Sequence, residues 1–155
     1  ETDDVLVRME LQPFAAGAMR ECYAMKKLST FGGNNNWKRA QNCVAKLYKK
    51  TAHPSVYWVD VLVQMESKRL SEEYNKTNPP KQIDMMQAAL VEFPDREGTP
   101  VFALEQLLTG KYIKYNSNSG FVRGDELLRY TPQAFSHFTY SWSKGQRICV
   151  DVQGV

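Results

Sequence analysis

The segment Pro13–Lys27, Pro-Phe-Ala-Ala-Gly-Ala-Met-Arg-Glu-Cys-Tyr-Ala-Met-Lys-Lys, constrains the fold more than any other part of the chain. A small-residue turn, Ala15-Ala16-Gly17, opens into a basic stretch whose apolar positions nearly alternate. That is the pattern of a half-buried β-strand. After a polar loop, the apolar run Asn42–Tyr48 carries a lysine, Lys46, directly after Val44-Ala45. Together these stretches predict a hairpin lying over a polyanion, with the lysine of the next strand reaching up to it. Small residues let backbone N–H groups approach phosphates, and Arg20 and Lys46 would add charge-assisted hydrogen bonds of about 1.5–3 kcal/mol each. On residue pattern alone, an ordinary hairpin turn and a solvated lysine fit as well.

The rest of the chain mixes strands and helices. Val5–Met9 predicts a strand before the Pro13 turn, and Ala18–Leu28 predicts the next one. Phe31-Gly32-Gly33-Asn34-Asn35-Asn36 reads as a loop. Ser55, after His53-Pro54, is a plausible N-cap. From there Val56, Val59, Leu62, Val63, Leu70 and Tyr74 recur at helical spacing up to the break at Asn78-Pro79-Pro80. Glu66 lies on that inner face, either paired with Lys46 or on a solvated flank. Gln82–Phe93 and Val101–Leu107 flank the turn signal Pro94-Asp95-Arg96-Glu97-Gly98 and predict a hairpin. Thr131-Pro132 predicts a helix start running to Trp142, with Ala134, Phe135 and Phe138 facing inward. Arg147–Val155 reads as an apolar strand carrying Asp151 and Gln153. Oxygen donors at alternate strand positions share a face and suit a hard cation such as Mg²⁺.

Several of these stretches also resemble a known family. GAMRECYAMKKLS from Gly17, YNKTNPPKQIDMMQ from Tyr74, GKYIKYNSNSGFVR from Gly110, TPQAFSHFT from Thr131 and VDVQGV from Val150 resemble, in order and with similar spacing, the alpha-kinases. These are atypical serine/threonine protein kinases, and the likeness runs from about Asp4 to Val155. It implies an α+β, kinase-like fold, with a mainly β N-lobe over residues 1–107 and the hinge and beginning of a C-lobe over residues 108–155. It also implies ATP and Mg²⁺ as cofactors. Lys46 and Asp151 match catalytic positions, and Arg20, Lys46, Glu105, Leu108 and Gln153 match nucleotide-binding ones. Glu105 and Leu108 would meet the adenine ring, while Asp151 and Gln153 would face metal and phosphate. Separately from this resemblance, ordinary protein kinases pair a helix glutamate with the strand lysine, which makes Glu66 a candidate for that partner beside its reading as a solvated flank.

His137 matches one ligand of a structural zinc whose remaining ligands lie further on in the family; Cys149 is no substitute. The family's Thr-Asp-Pro aspartate and glycine-rich loop also follow the last matching motif. The expectation is therefore a segment that binds Mg·ATP weakly and transfers phosphate poorly by itself. The best-matching branch implies a protein substrate, translation elongation factor 2, and control by calmodulin through an upstream element. A non-catalytic nucleotide-binding regulator and a kinase with a cytoskeletal substrate are the alternatives.

Composition narrows the partners. A net charge of +3, spread along 155 residues, suits an anionic ligand without demanding nucleic acid. Tyr112, Lys114, Asn116 and Asn118 make a poor base-stacking platform. No apolar run approaches the ~20 residues of a membrane span. The three cysteines, Cys22, Cys43 and Cys149, sit in apolar segments and read as buried free thiols of a cytoplasmic protein. Glu1 in place of a methionine reads as a cut or processed N-terminus.

Overall fold

The computed structural model describes residues 3–28, 36–124 and 129–155. The predicted loop at residues 31–36 falls outside them except for Asn36. The chain forms two compact units, Glu1–Val63 with Met86–Leu107, and Gln64–Met85 with Leu108–Val155.

The first unit is built on an antiparallel sheet. Its strands are β1 (Val7–Met9), β2 (Ala15–Ala16), β3 (Arg20–Lys27), β4 (Gln41–Tyr48), β5 (Ala88–Glu92) and β6 (Val101–Gln106). They lie in the order β1-β3-β4-β6-β5, with β2 also paired to β3. Alternation along the strands sends Met25, Cys43, Ala45, Val91, Phe102 and Leu104 to one face, where they form the core of this unit. Tyr23 and Phe93 both meet Phe102 edge to face. Arg20, Lys46 and Glu105 are at the complementary positions of the alternation, so the apolar pattern of one face dictates the polar content of the other.

The predicted β2–β3 hairpin is present, with Ala15 opposite Cys22 and Ala16 opposite Glu21. The Gly17 N–H donates to the Arg20 carbonyl at 2.8 Å. That donor is spent within the turn, so it is not the phosphate-facing group the sequence suggested.

The helix α1 spans Pro54–Lys76. Ser55 is inside it rather than at its cap. The Val56 N–H donates to the His53 carbonyl at 2.9 Å, and the Ser55 N–H donates to His53 Nδ1 at 3.3 Å, so His53 closes this end. Proline occupies the first helical position, where its missing N–H costs nothing. The apolar spacing of the first half does not mark a buried face. Val59, Leu62 and Val63 are 55–65% exposed, while Tyr57 is buried.

The strand predicted from Gln82 begins only at Ala88. Residues before it are held by α1 side chains instead: Asn75 brackets Ile83 with two hydrogen bonds, and Lys68 Nζ reaches the Met85 carbonyl.

In the second unit, Leu70 and Tyr74 of α1 pack with Phe135 of α2 (Tyr130–Trp142), alongside Ile83, Met85, Phe138, Cys149 and Val152. Arg129, rather than Thr131, occupies the N-cap of α2, without a side-chain cap bond. Ala134 is exposed, and Ser136 and Thr139 take the inward positions expected for it. A two-stranded ribbon joins β7 (Ile113–Lys114) to β8 (Gln153–Gly154). The predicted strand from Arg147 is thus reduced to its last part. Of the thiols only Cys43 is fully buried, and all are free. Among the described residues, no helix is long and apolar enough to cross a membrane.

Candidate functional site

Lys46 stands on β4 between β3 and β6, opposite Cys22 on one side and Ala103 on the other. Glu105 is one diagonal step away, opposite Val44. Diagonal neighbours on one face are within reach of long side chains, and Lys46 Nζ meets Glu105 Oε2 at 2.6 Å. Both side chains are about one-fifth exposed. The cation and the carboxylate expected from the sequence are therefore brought together. Small residues, Cys22, Ala24, Ala88 and Ala103, surround them on that face by register.

Arg20 lies further along β3, opposite Tyr48. Its guanidinium donates to Asp60 Oδ2 at 3.2 Å, and the Tyr48 hydroxyl donates to the same oxygen at 2.7 Å. Burial and this hydrogen bond raise the Tyr48 phenol pKa above its ordinary value. The Tyr48 N–H donates to the Tyr57 hydroxyl, and the two rings stack edge to face. α1 does send a carboxylate to a basic strand residue, but the pair is Asp60 with Arg20, not Glu66 with Lys46. Asp60 was missed because nothing in the spacing distinguishes it from a solvated helix aspartate.

Glu66 instead belongs to the second unit. Its carboxylate takes two bonds from Arg69, at 2.8 and 2.9 Å, and another from Arg147. The Arg69 guanidinium also lies over the Trp142 ring. The bonds from Arg69, then those from Arg147, hold the Glu66 pKa down to about 2, against 4.5 ordinarily. A depressed carboxylate stabilises the fold above its unfolded pKa and loses that contribution as pH falls through the folded value. Glu66→Gln should therefore lower stability by about 1 kcal/mol near neutral pH, the group being partly exposed. The deficit should shrink between pH 4.5 and about 2. Denaturant titrations of both proteins across that range read it directly, and a deficit independent of pH would rule out the ion pair as its source.

Asp151 precedes β8 and adopts a left-handed backbone, φ +59°. It does not share a strand face with Gln153, as simple alternation required. Its carboxylate pairs with Lys114 Nζ at 3.1 Å, and both side chains are close to half exposed. Gln153 is exposed on β8, opposite Lys114. Leu108, just past β6, is 38% exposed. His137 is exposed on α2, its Nε2 3.4 Å from Ser141 Oγ. Among the described residues, no three His, Cys, Asp or Glu side chains converge on a metal position. His137 alone does not make a zinc site.

Residues 15–155 match the model of the alpha-kinase family. The chain belongs to that family. Alpha-kinases similar to it include eukaryotic elongation factor 2 kinase of Rattus norvegicus, 57% identical over 153 residues, which are 99% of this chain and 21% of that protein. Myosin heavy chain kinase B of Dictyostelium discoideum is 42% identical over 97% of this chain and 20% of its own length. The chain thus spans about a fifth of these relatives. The crystal structure of the alpha-kinase domain of myosin heavy chain kinase A in complex with ADP matches with a TM-score of 0.84 at 35% identity, over 97% of this chain and 70% of that one. The alpha-kinase fold expected from the motifs is the fold found.

Proposed function

We propose that the protein is an ATP-dependent serine/threonine kinase that phosphorylates translation elongation factor 2 under calmodulin control. The observation carrying this reading is the Lys46–Glu105 pair on one sheet face of a chain from the alpha-kinase family. A lysine so placed can neutralise a phosphate while the adjacent carboxylate accepts from an exocyclic amine, with Leu108 beside the base. Arg20, fixed by Asp60, supplies further positive charge. The ADP held by the myosin heavy chain kinase A domain supports a nucleotide as the ligand.

Asp151 and Gln153 are oxygen donors of the kind Mg²⁺ prefers, and we assign them to metal and phosphate. When bound, the metal would neutralise charge on the phosphate oxygens during transfer. This chain's own residues orient the donor nucleotide and screen its charge. His137 is proposed as a zinc ligand in the complete protein, with partners supplied by sequence outside these 155 residues. The free thiols support a cytoplasmic location.

The test is transfer of labelled phosphate from ATP by the complete protein, offered elongation factor 2 and a myosin heavy chain tail separately. Labelled serine or threonine on the elongation factor, requiring calcium-loaded calmodulin, is expected. Label on myosin alone would favour the cytoskeletal alternative, which the similarity to myosin heavy chain kinases keeps in view. Nucleotide binding without transfer to either would favour a regulator.

A further inference from the structure

We infer that Asn116 is the positioning residue for Asp151 and Gln153, an inference that rests on assigning those two to metal and phosphate. Asn116 is 4% exposed, and its side-chain amide is bonded through both ends. Oδ1 accepts the Val152 N–H at 2.9 Å, and Nδ2 donates to Gln133 Oε1 and Ser136 Oγ, both at 3.0 Å. Val152 stands directly between Asp151 and Gln153.

The β7–β8 ladder explains what this bond does. Lys114 is opposite Gln153, and the Tyr115 N–H donates to the Val152 carbonyl at 2.9 Å. Beyond that rung the ladder is not continued, and Asp151 stands in the left-handed region. The Asn116 side-chain carbonyl substitutes for the backbone acceptor that a continuing strand would have offered. Val152 is held by both its N–H and its carbonyl, so the reversal at Asp151 starts from a fixed peptide.

The amide is itself clamped. Gln133 Nε2 donates to the Tyr115 carbonyl, and the Ser136 hydroxyl donates to the Pro132 carbonyl. A left-handed non-glycine residue is uncommon, and although aspartate tolerates that conformation better than most, a fixed neighbouring peptide helps to select it. Asn116 provides that constraint at one covalent remove from both candidate ligands. An apolar residue of similar size would leave the Val152 N–H unpaired and free the turn.

The experiment compares Asn116→Leu, Asn116→Asp, Gln133→Leu and Asp151→Asn in the complete kinase, reading kcat, KM for ATP and the Mg²⁺ concentration giving half-maximal rate. It also reads, without turnover, the rise in melting temperature when Mg²⁺ is added with a non-hydrolysable ATP analogue, which should change in parallel with the Mg²⁺ requirement. Asn116→Leu should lower kcat about 30-fold and raise the Mg²⁺ requirement about tenfold, with KM for ATP changed less than threefold. Asn116→Asp keeps the acceptor for Val152 and should restore most of the Mg²⁺ response. Gln133→Leu removes one of the two bonds to the Asn116 amide but leaves Ser136 and the acceptor in place, so it should lower melting temperature and move the Mg²⁺ requirement less than twofold. Should Asn116→Leu fail to fold, Asn116→Ser, whose hydroxyl is too short to reach Val152, carries the same expectation. A shifted Mg²⁺ response in Asp151→Asn with none in the Asn116 variants would overturn the positioning role. An unchanged response in Asp151→Asn would instead remove the metal assignment beneath it.

Discussion

Lys46→Met in the complete kinase is expected to reduce kcat/KM for phosphate transfer about 1,000-fold, with the fold retained. Methionine keeps most of the lysine's length and apolar stem, so packing between Cys22 and Ala103 changes little. What disappears is one positive charge on a sheet face where the side chain is only one-fifth exposed. A loss of about 4 kcal/mol of transition-state stabilisation corresponds to that rate factor. Glu105 would lose its cation, but its own partial exposure lets water replace the bond, so the cost to stability should stay near 1–2 kcal/mol. Melting curves check the fold, and steady-state kinetics check the rate. A variant that folds normally and still transfers phosphate at a tenth of the original rate would remove Lys46 from the machinery.

How much of this was legible in advance depended on what kind of force set each feature. β3 and β4 were readable because a sheet with one apolar face writes its period into the sequence. Lys46 and Glu105 stand out in the sequence only as positions that the family resemblance implies, and it is the strand register that accounts for their meeting. The first half of α1 was misread for a physical reason. Helical spacing of Val56, Val59, Leu62 and Val63 says that the apolar residues share a side, not that anything covers it. Glu66 was a candidate by analogy, yet Asp60 makes the contact with the sheet. Glu66 is held instead by Arg69 and Arg147 within the second unit.

The second unit was harder to read because its candidate ligand depends on side-chain bonds across the sequence. No local pattern around Asp151 announces a left-handed residue; aspartate simply tolerates that region better than most. The constraint comes from Asn116, which is far from it in the chain and which, read as a sequence, was one polar residue in a loop. The same holds for Lys114, which the sequence marks only as part of a poor base-stacking platform and which is paired with Asp151. Side chains that bond backbone across a loop leave no period to detect.

The left-handed backbone at Asp151 also decides which substitution tests it. Alanine would confound loss of the carboxylate with strain at φ +59°, whereas asparagine tolerates that conformation and removes only the charge. Asp151→Asn should therefore fold with a stability change within about 1 kcal/mol, because the Lys114 pair it weakens is close to half exposed on both sides. Transfer at fixed Mg²⁺ should fall about 100-fold or more, since the carboxylate charge that competes for the cation is gone. The Mg²⁺ concentration for half-maximal rate should rise at least tenfold, while binding of ATP measured without metal should stay within threefold. That split separates a metal ligand from a residue that merely shapes the ribbon, which would weaken nucleotide binding with and without metal alike. An Asp151→Asn protein with the original Mg²⁺ dependence and a slowed rate would make the aspartate a structural turn residue. The ion pair with Lys114 would then be its whole role.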